Sequence, residues 1–561
     1  MKTKNILFSA LIGAASIFGF TSCDNGFDAI NTNPNEVPEN KHPFYITDIA
    51  QAIQYASDYN YDQKSGAGAA GGADLHQRAK SLGVDIFVQY NMGRNDLASY
   101  ASDDGYQSVY WGAHFVSYLG ILNKALAFAE EKNDVNAKAI ALTWRAHTQA
   151  QFTDYFGIAP FPTRQMGDTV PPYMELKDQY NQIFTDLATA IDLFDPAEAT
   201  ITSEPLYKGD VGKWKKFCNT LRVRLAIKMS EIDPALCSKE IKAALSSANG
   251  GLLASSADDA KSATYGAWGS INNPYTYYYG WGLTGGKTTM SKTMEKILTG
   301  IGGQPYNGTA APGKHPTLVD PRGSIIFDPC PKDDKLLISP TWQGGIVGQN
   351  PEPGTYRNTI SEMSVQNFSQ NFKRPMTVMT YTEACLLLAE AVERNFITAG
   401  EAGGTAESWY NKGVEASFID LGLTAADAAT YLASNAKNEY GTSALYSDTS
   451  GPGNTALEKI VTQRYIGFFP DLSNNIWNDK RRLNLPAMEI PVYRNSADGI
   501  WPNDDNIKNP KNFIQRLRIP QSEPRINKEY YDAAVQMLGG DGDKNSTSIW
   551  WATGINYCTS N

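Results

Sequence analysis

Charge is what this 561-residue chain has least of: only 19% of it is Asp, Glu, Lys or Arg, with a net charge of −10. No dense basic run occurs, which excludes the electrostatic footprint of a nucleic-acid-binding protein. Histidine is scarce too. His42, His76, His114, His147 and His315 are scattered along the chain, so neither a metal cluster nor a catalytic triad is indicated, and no metal or other cofactor is expected. Cysteine is equally sparse. Apart from Cys23, the residues Cys218, Cys237, Cys330, Cys385 and Cys558 are odd in number and widely spaced, with no CxxC pair. That excludes a disulfide scaffold and a zinc ribbon. The HExxH, G-x-S-x-G and P-loop signatures are missing, so no catalytic residue is nominated. Asp541–Asn545 begins like a calcium loop, but Ser546 replaces the turn glycine and Ala552 the twelfth-position glutamate.

What the chain has in excess is aromatic surface, 11% of residues with 30 Tyr and 11 Trp. It concentrates in Tyr265–Trp281, YGAWGSINNPYTYYYGW, where Gly, Asn and Pro separate the rings and Ile271 is the one bulky aliphatic. Such a composition suits neither a helix nor a buried strand. It suits a loop that presents flat rings. A sugar offers an apolar C–H face and a belt of hydroxyls, and rings with few rotatable bonds cover that face at small entropic cost. Trp268, Tyr275, Tyr278 and Trp281 supply the stacking half, and Asn272 and Asn273 the hydrogen bonds. Trp342 and Tyr356 extend the same surface, and Tyr90, Asn91, Arg94 and Asp96 line it from the amino-terminal side. Neighbouring rings in an extended run alternate in direction, so some of them pack on the body beneath.

The amino terminus reads as an export signal. Lys2 and Lys4 precede an apolar stretch, Ile6–Phe20, too short and too early for a stable span. Thr21-Ser22-Cys23 then places a cysteine where cleavage would fall. Residues 1–22 read as a lipoprotein signal, Cys23 as the lipidated residue, and residues 23–42 as a polar tether. Each buried methylene contributes about 0.8 kcal/mol, so two or three acyl chains anchor firmly where one does not.

Residues 43–250 carry helical stripes, as in Trp111, Phe115, Tyr118, Leu122, Leu126; Tyr180, Ile183, Phe184, Leu187, Ile191; and Trp214, Phe217, Leu221, Leu225. Residues 251–374 hold 17 of the 48 glycines and ten of the 29 prolines, and the stripes fade apart from a short helix near Met290–Leu298. This span reads as a loop-rich ligand-binding insertion. Helices return over 375–561. Tyr381–Val392 followed by Ala406–Ala416 resembles a tetratricopeptide unit, with Ala384 and Ala416 close to one ~34-residue period apart. The expected fold is therefore mostly α, a tetratricopeptide-like helical scaffold with one large loop-rich insertion.

Several phrases in common order resemble the SusD/RagB family. They are the Cys23 signal with Asn31-Thr32-Asn33-Pro34-Asn35; Asp154-Tyr155-Phe156-Gly157 through Pro162; and Tyr207-Lys208-Gly209-Asp210 through Trp214, with Asn219, Leu221, Arg222 and Arg224. Asp320-Pro321-Arg322, Thr380-Tyr381 with Glu383, Ala389-Glu390-Ala391, Arg481-Arg482 to Pro486, Arg518-Ile519-Pro520 and Trp550-Trp551 follow. Two departures stand out: Ile158-Ala159 after Gly157 in place of an acidic residue, and Phe468-Phe469-Pro470-Asp471 with no acidic residue just before Trp477.

The resemblance implies a lipid-anchored, surface-exposed protein of the outer membrane. It would capture oligo- or polysaccharide on its loop-rich face and deliver it to a SusC-like TonB-dependent transporter contacted by its tetratricopeptide-like helices. It implies no hydrolase. Two alternatives stay open: a related lipoprotein that binds peptides or another nutrient, and a lipid-anchored glycosidase, because the spacing of a carboxylate pair is spatial and not sequential.

Overall fold

The computed structural model describes residues 44–57, 76–92, 100, 102, 104–162, 171–262, 273, 275, 288–331, 338–348, 359–371, 373–492, 508–539 and 542–560. Met1–Tyr45 forms one unit and Ile46–Asn561 a second, which contains every element described below except the first two residues of α1. Cys23 and the tether lie outside the described residues.

Helices dominate. α1 (Phe44–Ser57) is followed by a wide π-helical stretch, His76–Val84, and then by α2 (Asp104–Ala113) and α3 (Gly120–Glu131), which flank a second π segment, His114–Leu119. The stripe from Trp111 to Ala129 is therefore helical throughout, with one widened stretch. α4 (Val135–Phe156) is the long central helix, 22 residues and about 33 Å. It was not legible as a stripe, because it is buried on nearly every side. Its polar residues find partners inside the protein. Arg145 donates through Nε and Nη2 to both oxygens of Asp186, each at 2.8 Å, and Gln149 bonds Gln179 at 2.7 Å. Asp134 caps its start by accepting from Ala137 N. Gly157 ends it at φ +78°, where a Cβ would come within 3.3 Å of Arg516 Nε.

The chain then turns through a two-residue pair, β1 (Ala159–Pro160) with β2 (Tyr173–Met174), into α5 (Leu176–Leu193), α6 (Val211–Lys228) and α7 (Pro234–Leu245). α5 packs on α4, and Asp210 caps α6 through Lys213 N.

The glycine-rich span opens at β3 (Ala260–Ser262) and holds α8 (Lys292–Leu298), β4 (Phe327–Asp328) and β5 (Glu362–Met363) before β6 (Met376–Met379). β3 pairs antiparallel with β6, with Lys261 opposite Thr377 and Ser262 opposite Met376. This pair draws the two ends of the excursion together into a neck on the helical body.

Beyond the neck come α9 (Tyr381–Glu393), α10 (Ala406–Asp420), α11 (Ala425–Leu432), α12 (Ala456–Gly467), α13 (Ser473–Leu483) and α14 (Lys528–Met537). Thr380, Thr405, Thr424 and Thr455 cap α9 to α12, the last two in reciprocal capping boxes with Asp427 and Glu458. The α9–α10 hairpin packs closely through Gly413, where a Cβ would stand 2.8 Å from Leu386 Cγ and 3.2 Å from Cys385 Cβ. Leu386, Ala389, Tyr410, Val414, Phe418 and Ile460 form one fully buried cluster there. The mostly helical, tetratricopeptide-like expectation holds. All five described cysteines are free and buried. Among the described residues no helix is long and apolar enough to cross a membrane.

Much of the interior is ionic. Glu390 of α9 accepts from Arg464 Nη1 at 2.6 Å and from both Nη atoms of Arg482 at 2.6 and 2.7 Å, with Arg394 adding a 3.2 Å contact. Asp479 shares Arg464 and Arg482, and Glu231 pairs with Arg394. Lys228 bonds both oxygens of Asp154 at 2.7 and 2.8 Å, and Asn478 donates to the same carboxylate. Arg322 bonds Asp320, Ser417, Gln463 and Tyr431, with its guanidinium carbon 4.7 Å from the Phe418 ring centre.

Candidate ligand-binding site

The described part of the first nominated region, residues 89–92, meets the stem of the insertion around residues 289–293 in the structure. Asn91 forms a bridge with Met290, Ser291 with Gly345, and Thr289 with Glu362. Asn91 Oδ1 accepts from Thr289 N and Oγ1, each at 3.2 Å, and Thr293 Oγ1 donates to Gln89 Oε1 at 2.5 Å. The stem of the insertion is thus knitted to the 89–92 segment by short pairings rather than a continuous sheet.

That knitting corrects five nominated residues. Tyr90 is buried, its hydroxyl donating to Tyr465 O at 2.7 Å and its ring edge-on to Tyr465 and Phe469. Asn91 is buried in the pairing just described. Trp342 is buried beside Tyr306, with Gly323 close against its six-membered ring. Asn273 is fully buried and donates through Nδ2 to the carbonyls of Phe368 and Asn371 while Oδ1 accepts from Tyr275 N. Tyr275 is buried as well: Lys80 Nζ donates to its hydroxyl at 3.0 Å, and its ring stands edge-on to His76 at 4.8 Å. Tyr90, Asn91, Asn273 and Tyr275 spend their polar atoms on the protein itself, and the Trp342 ring is packed inside it. They hold the framework and do not face solvent, because each meets partners on distant parts of the chain. Trp268, Asn272, Tyr278, Trp281, Tyr356, Arg94 and Asp96 lie outside the described residues.

Asn273 and Tyr275 are therefore the two described footings of the aromatic segment. The Tyr275 footing rests on a buried ion pair, Lys80 Nζ to Asp85 Oδ1 at 2.7 Å, with Lys80 also donating to Pro470 O at 2.6 Å. Burial pushes the Asp85 carboxyl up, against the opposing pull of Lys80. Burial, helped by Lys80 and Arg374, lowers His76, which keeps it neutral.

The Asn273 footing grips the wall of a cleft of about 330 Å³ at the neck of the insertion. Five separate segments line it: β3 at Lys261, Ile325 just before β4, the stretch from Asn367 to Thr380 including Phe368 and Arg374, the end of α10 at Asp420 and Leu421, and residues 466–472. Arg374 is clamped to Asp471 at 2.6 and 3.2 Å and lies 5.2 Å from the Phe368 ring centre. Lys261 sits 2.8 Å from Asp259 Oδ2 and 3.8 Å from Asp420 Oδ1. Burial raises Asp259 to about 6, with Lys261 and the Tyr381 amide opposing. Sequence reasoning did not nominate this cleft. Its one visible trace was Phe468-Phe469-Pro470-Asp471, noted as a departure and now found in the cleft wall through Phe468, Phe469 and Asp471. Among the described residues no group of three or more His, Cys, Asp or Glu is arranged to hold a metal.

A family model described as SusD-like, the SusD and RagB outer membrane lipoproteins, matches residues 29–552. Among solved structures, a SusD homologue from Parabacteroides distasonis is similar at 34% identity and TM-score 0.82, covering 92% of this chain and 99% of that one. A SusD homologue from Bacteroides vulgatus, at 23% identity and TM-score 0.73, covers 92% of this chain and 100% of its own. A chitin-binding SusD homologue from Flavobacterium johnsoniae, at 21% and 0.73, covers 91% and 99%. The last two speak for the fold alone. No curated protein matches. With the helical body, the insertion and the ordered motifs all accounted for, the chain belongs to the SusD-like family of outer membrane lipoproteins.

Proposed function

We propose that this protein is a lipid-anchored, cell-surface glycan-binding protein, not an enzyme. It captures oligo- or polysaccharide on the segment Tyr265–Trp281 and hands it to a SusC-like TonB-dependent transporter in the outer membrane. The anchor is Cys23. The ligand-facing residues are Trp268, Asn272, Tyr278 and Trp281, with Tyr356, Arg94 and Asp96 at the margins.

The observation that carries this reading is the pair of footings. Asn273 and Tyr275 turn inward and are satisfied by the body, which ties the aromatic segment to it at two points, and the ligand role is assigned to the segment's other rings and amides. Family membership supports the location and the class of protein. A chitin-binding homologue with the same fold supports carbohydrate as the ligand class.

A glycan array on the chain beginning at Asp24 identifies the ligand, followed by affinity gels and calorimetry with Trp268→Ala and Trp281→Ala. Each loss of a stacking ring weakens binding by about 1–3 kcal/mol, a value taken from base–ring stacking. Undiminished binding in both variants refutes the platform. Retention on no glycan, together with a peptide that co-purifies, points instead to a peptide-binding relative. Product release from a bound glycan over long incubation identifies a glycosidase.

A further inference from the structure

The neck cleft has chemistry that the platform does not use. At about 330 Å³ it falls at the small end of the range for ligand pockets, room for a ring rather than a chain. One wall is apolar, built from Phe368, Leu421, Ile466 and Phe469. The other is polar, and its charges are unequally satisfied.

Arg374 spends two guanidinium nitrogens on Asp471, and Asp471 also accepts from Thr377 N at 2.9 Å. Lys261 is held by Asp259, whose other oxygen accepts from Tyr381 N at 2.7 Å. Both cations therefore already have carboxylates. Asp420 is different. Its partner is Lys261 at 3.8 Å, beyond hydrogen-bond distance, and a quarter of its side chain is exposed. Burial raises its pKa, against the pull of Lys261. Asp420 and Asp471 line the cleft and Asp259 lies buried against Lys261, so three carboxylates stand against two cations. Lys261 and Arg374 are each offset by a carboxylate already in place, so an anionic ligand gains little from them and is repelled by Asp420. A donor-bearing ligand needs only to meet Asp420.

The geometry points to a second carbohydrate subsite in this cleft, distinct from the aromatic platform, that takes a single neutral or amino-bearing sugar ring and rejects uronic acids. The ring's C–H face lies on the Phe368–Phe469 wall, and a hydroxyl or ammonium group donates to Asp420. The subsite rests on the reading of the protein as a glycan binder. It also explains why the Asn273 footing grips the cleft wall: a segment that captures a chain outside is tied to the place where one ring of it is held.

Saturation-transfer NMR and titration with glucose, glucosamine and glucuronate test it, using wild type, Asp420→Asn, Asp420→Lys and Trp268→Ala. Wild type binds glucose or glucosamine and discriminates against glucuronate. Asp420→Asn weakens glucosamine about tenfold or more, the loss of one hydrogen bond to a charged group. Asp420→Lys reverses the preference between glucosamine and glucuronate. Trp268→Ala weakens polysaccharide retention, while the change in glucosamine affinity produced by Asp420→Asn persists in the Trp268→Ala background.

The subsite is overturned if none of the three sugars binds, if glucuronate binds as well as the others, or if Asp420→Asn leaves affinity unchanged. The platform stands or falls separately, on polysaccharide retention by Trp268→Ala and Trp281→Ala. Loss of the cleft with that retention intact and ring-dependent removes only the subsite.

Discussion

Replacing Glu390 by Gln tests whether the buried ionic cluster stabilises the fold. Glu390 is fully buried, and four arginine N–H groups converge on its two oxygens. Around it Arg394, Arg464 and Arg482 are balanced by Glu231, Glu390 and Asp479. Gln has almost the same shape but removes one negative charge and turns an NH₂ group toward arginine donors. One guanidinium equivalent is then left uncompensated in the interior. Breaking a buried pair in this way costs about 3–5 kcal/mol, a large share of the ~5–15 kcal/mol that holds a typical domain folded.

The carboxyl's titration adds a second signature. Burial pushes its pKa up, but Arg482 and Arg464 outweigh burial and hold it far below the ordinary range. A depressed carboxyl contributes stability above its unfolded pKa, about 4.3, and loses that contribution as pH falls through its folded value. Urea unfolding followed by tryptophan fluorescence, with a constant slope, therefore shows a gap of about 3–5 kcal/mol between wild type and Glu390→Gln at pH 7. The gap narrows as the pH is taken below about 4. A gap under about 1 kcal/mol at pH 7, or one that does not change with pH, refutes the reasoning.

Lys480 makes the opposite prediction. It is buried over the Phe513 ring with only the carbonyls of Pro486 and Asn484 as acceptors, and burial lowers its pKa to about 7. Its contribution to stability rises with pH between about 7 and its unfolded value of about 10.4, so Lys480→Met stabilises by about 1–4 kcal/mol near neutral pH. Denaturant midpoints measured across that interval check it, because the advantage shrinks toward the alkaline end. Gly413→Val forces a branched side chain into Leu386 at the α9–α10 contact and costs about 1–3 kcal/mol or more by thermal or chemical unfolding. Arg322→Lys keeps the charge but loses the fork that reaches Asp320, Gln463 and Tyr431, and costs about 1.5–3 kcal/mol in the same assay.

The ordered motifs that pointed to the family have mostly structural meanings here. Asp154, Arg224, Asp320, Arg322, Glu383, Glu390, Arg481 and Arg482 all lie in buried ion pairs or hydrogen-bond networks. They mark how the helices lock together and say little about the ligand. The departures were more informative about recognition, since Phe468-Phe469-Pro470-Asp471 lines the neck cleft. Amphipathic helices such as α5 were visible because one face meets water. α4 was not, because burial on all sides removes the contrast between faces on which a stripe depends, and α13 was not, because it buries Asn478, Asp479, Lys480, Arg481 and Arg482 where apolar residues would mark a stripe.

Local composition and periodicity alone thus determined the helical class, the hairpin of α9 and α10, the loop-rich interruption and the aromatic segment near its start. These are properties of neighbours along the chain. Only the tertiary structure decided which way Tyr90, Asn91, Asn273, Tyr275 and Trp342 turn, because a side chain's facing depends on partners hundreds of positions away: Tyr465 for Tyr90, Lys80 and Pro470 for Tyr275. The cleft too is a tertiary product, closed by the β3–β6 neck from five segments that share no local signal.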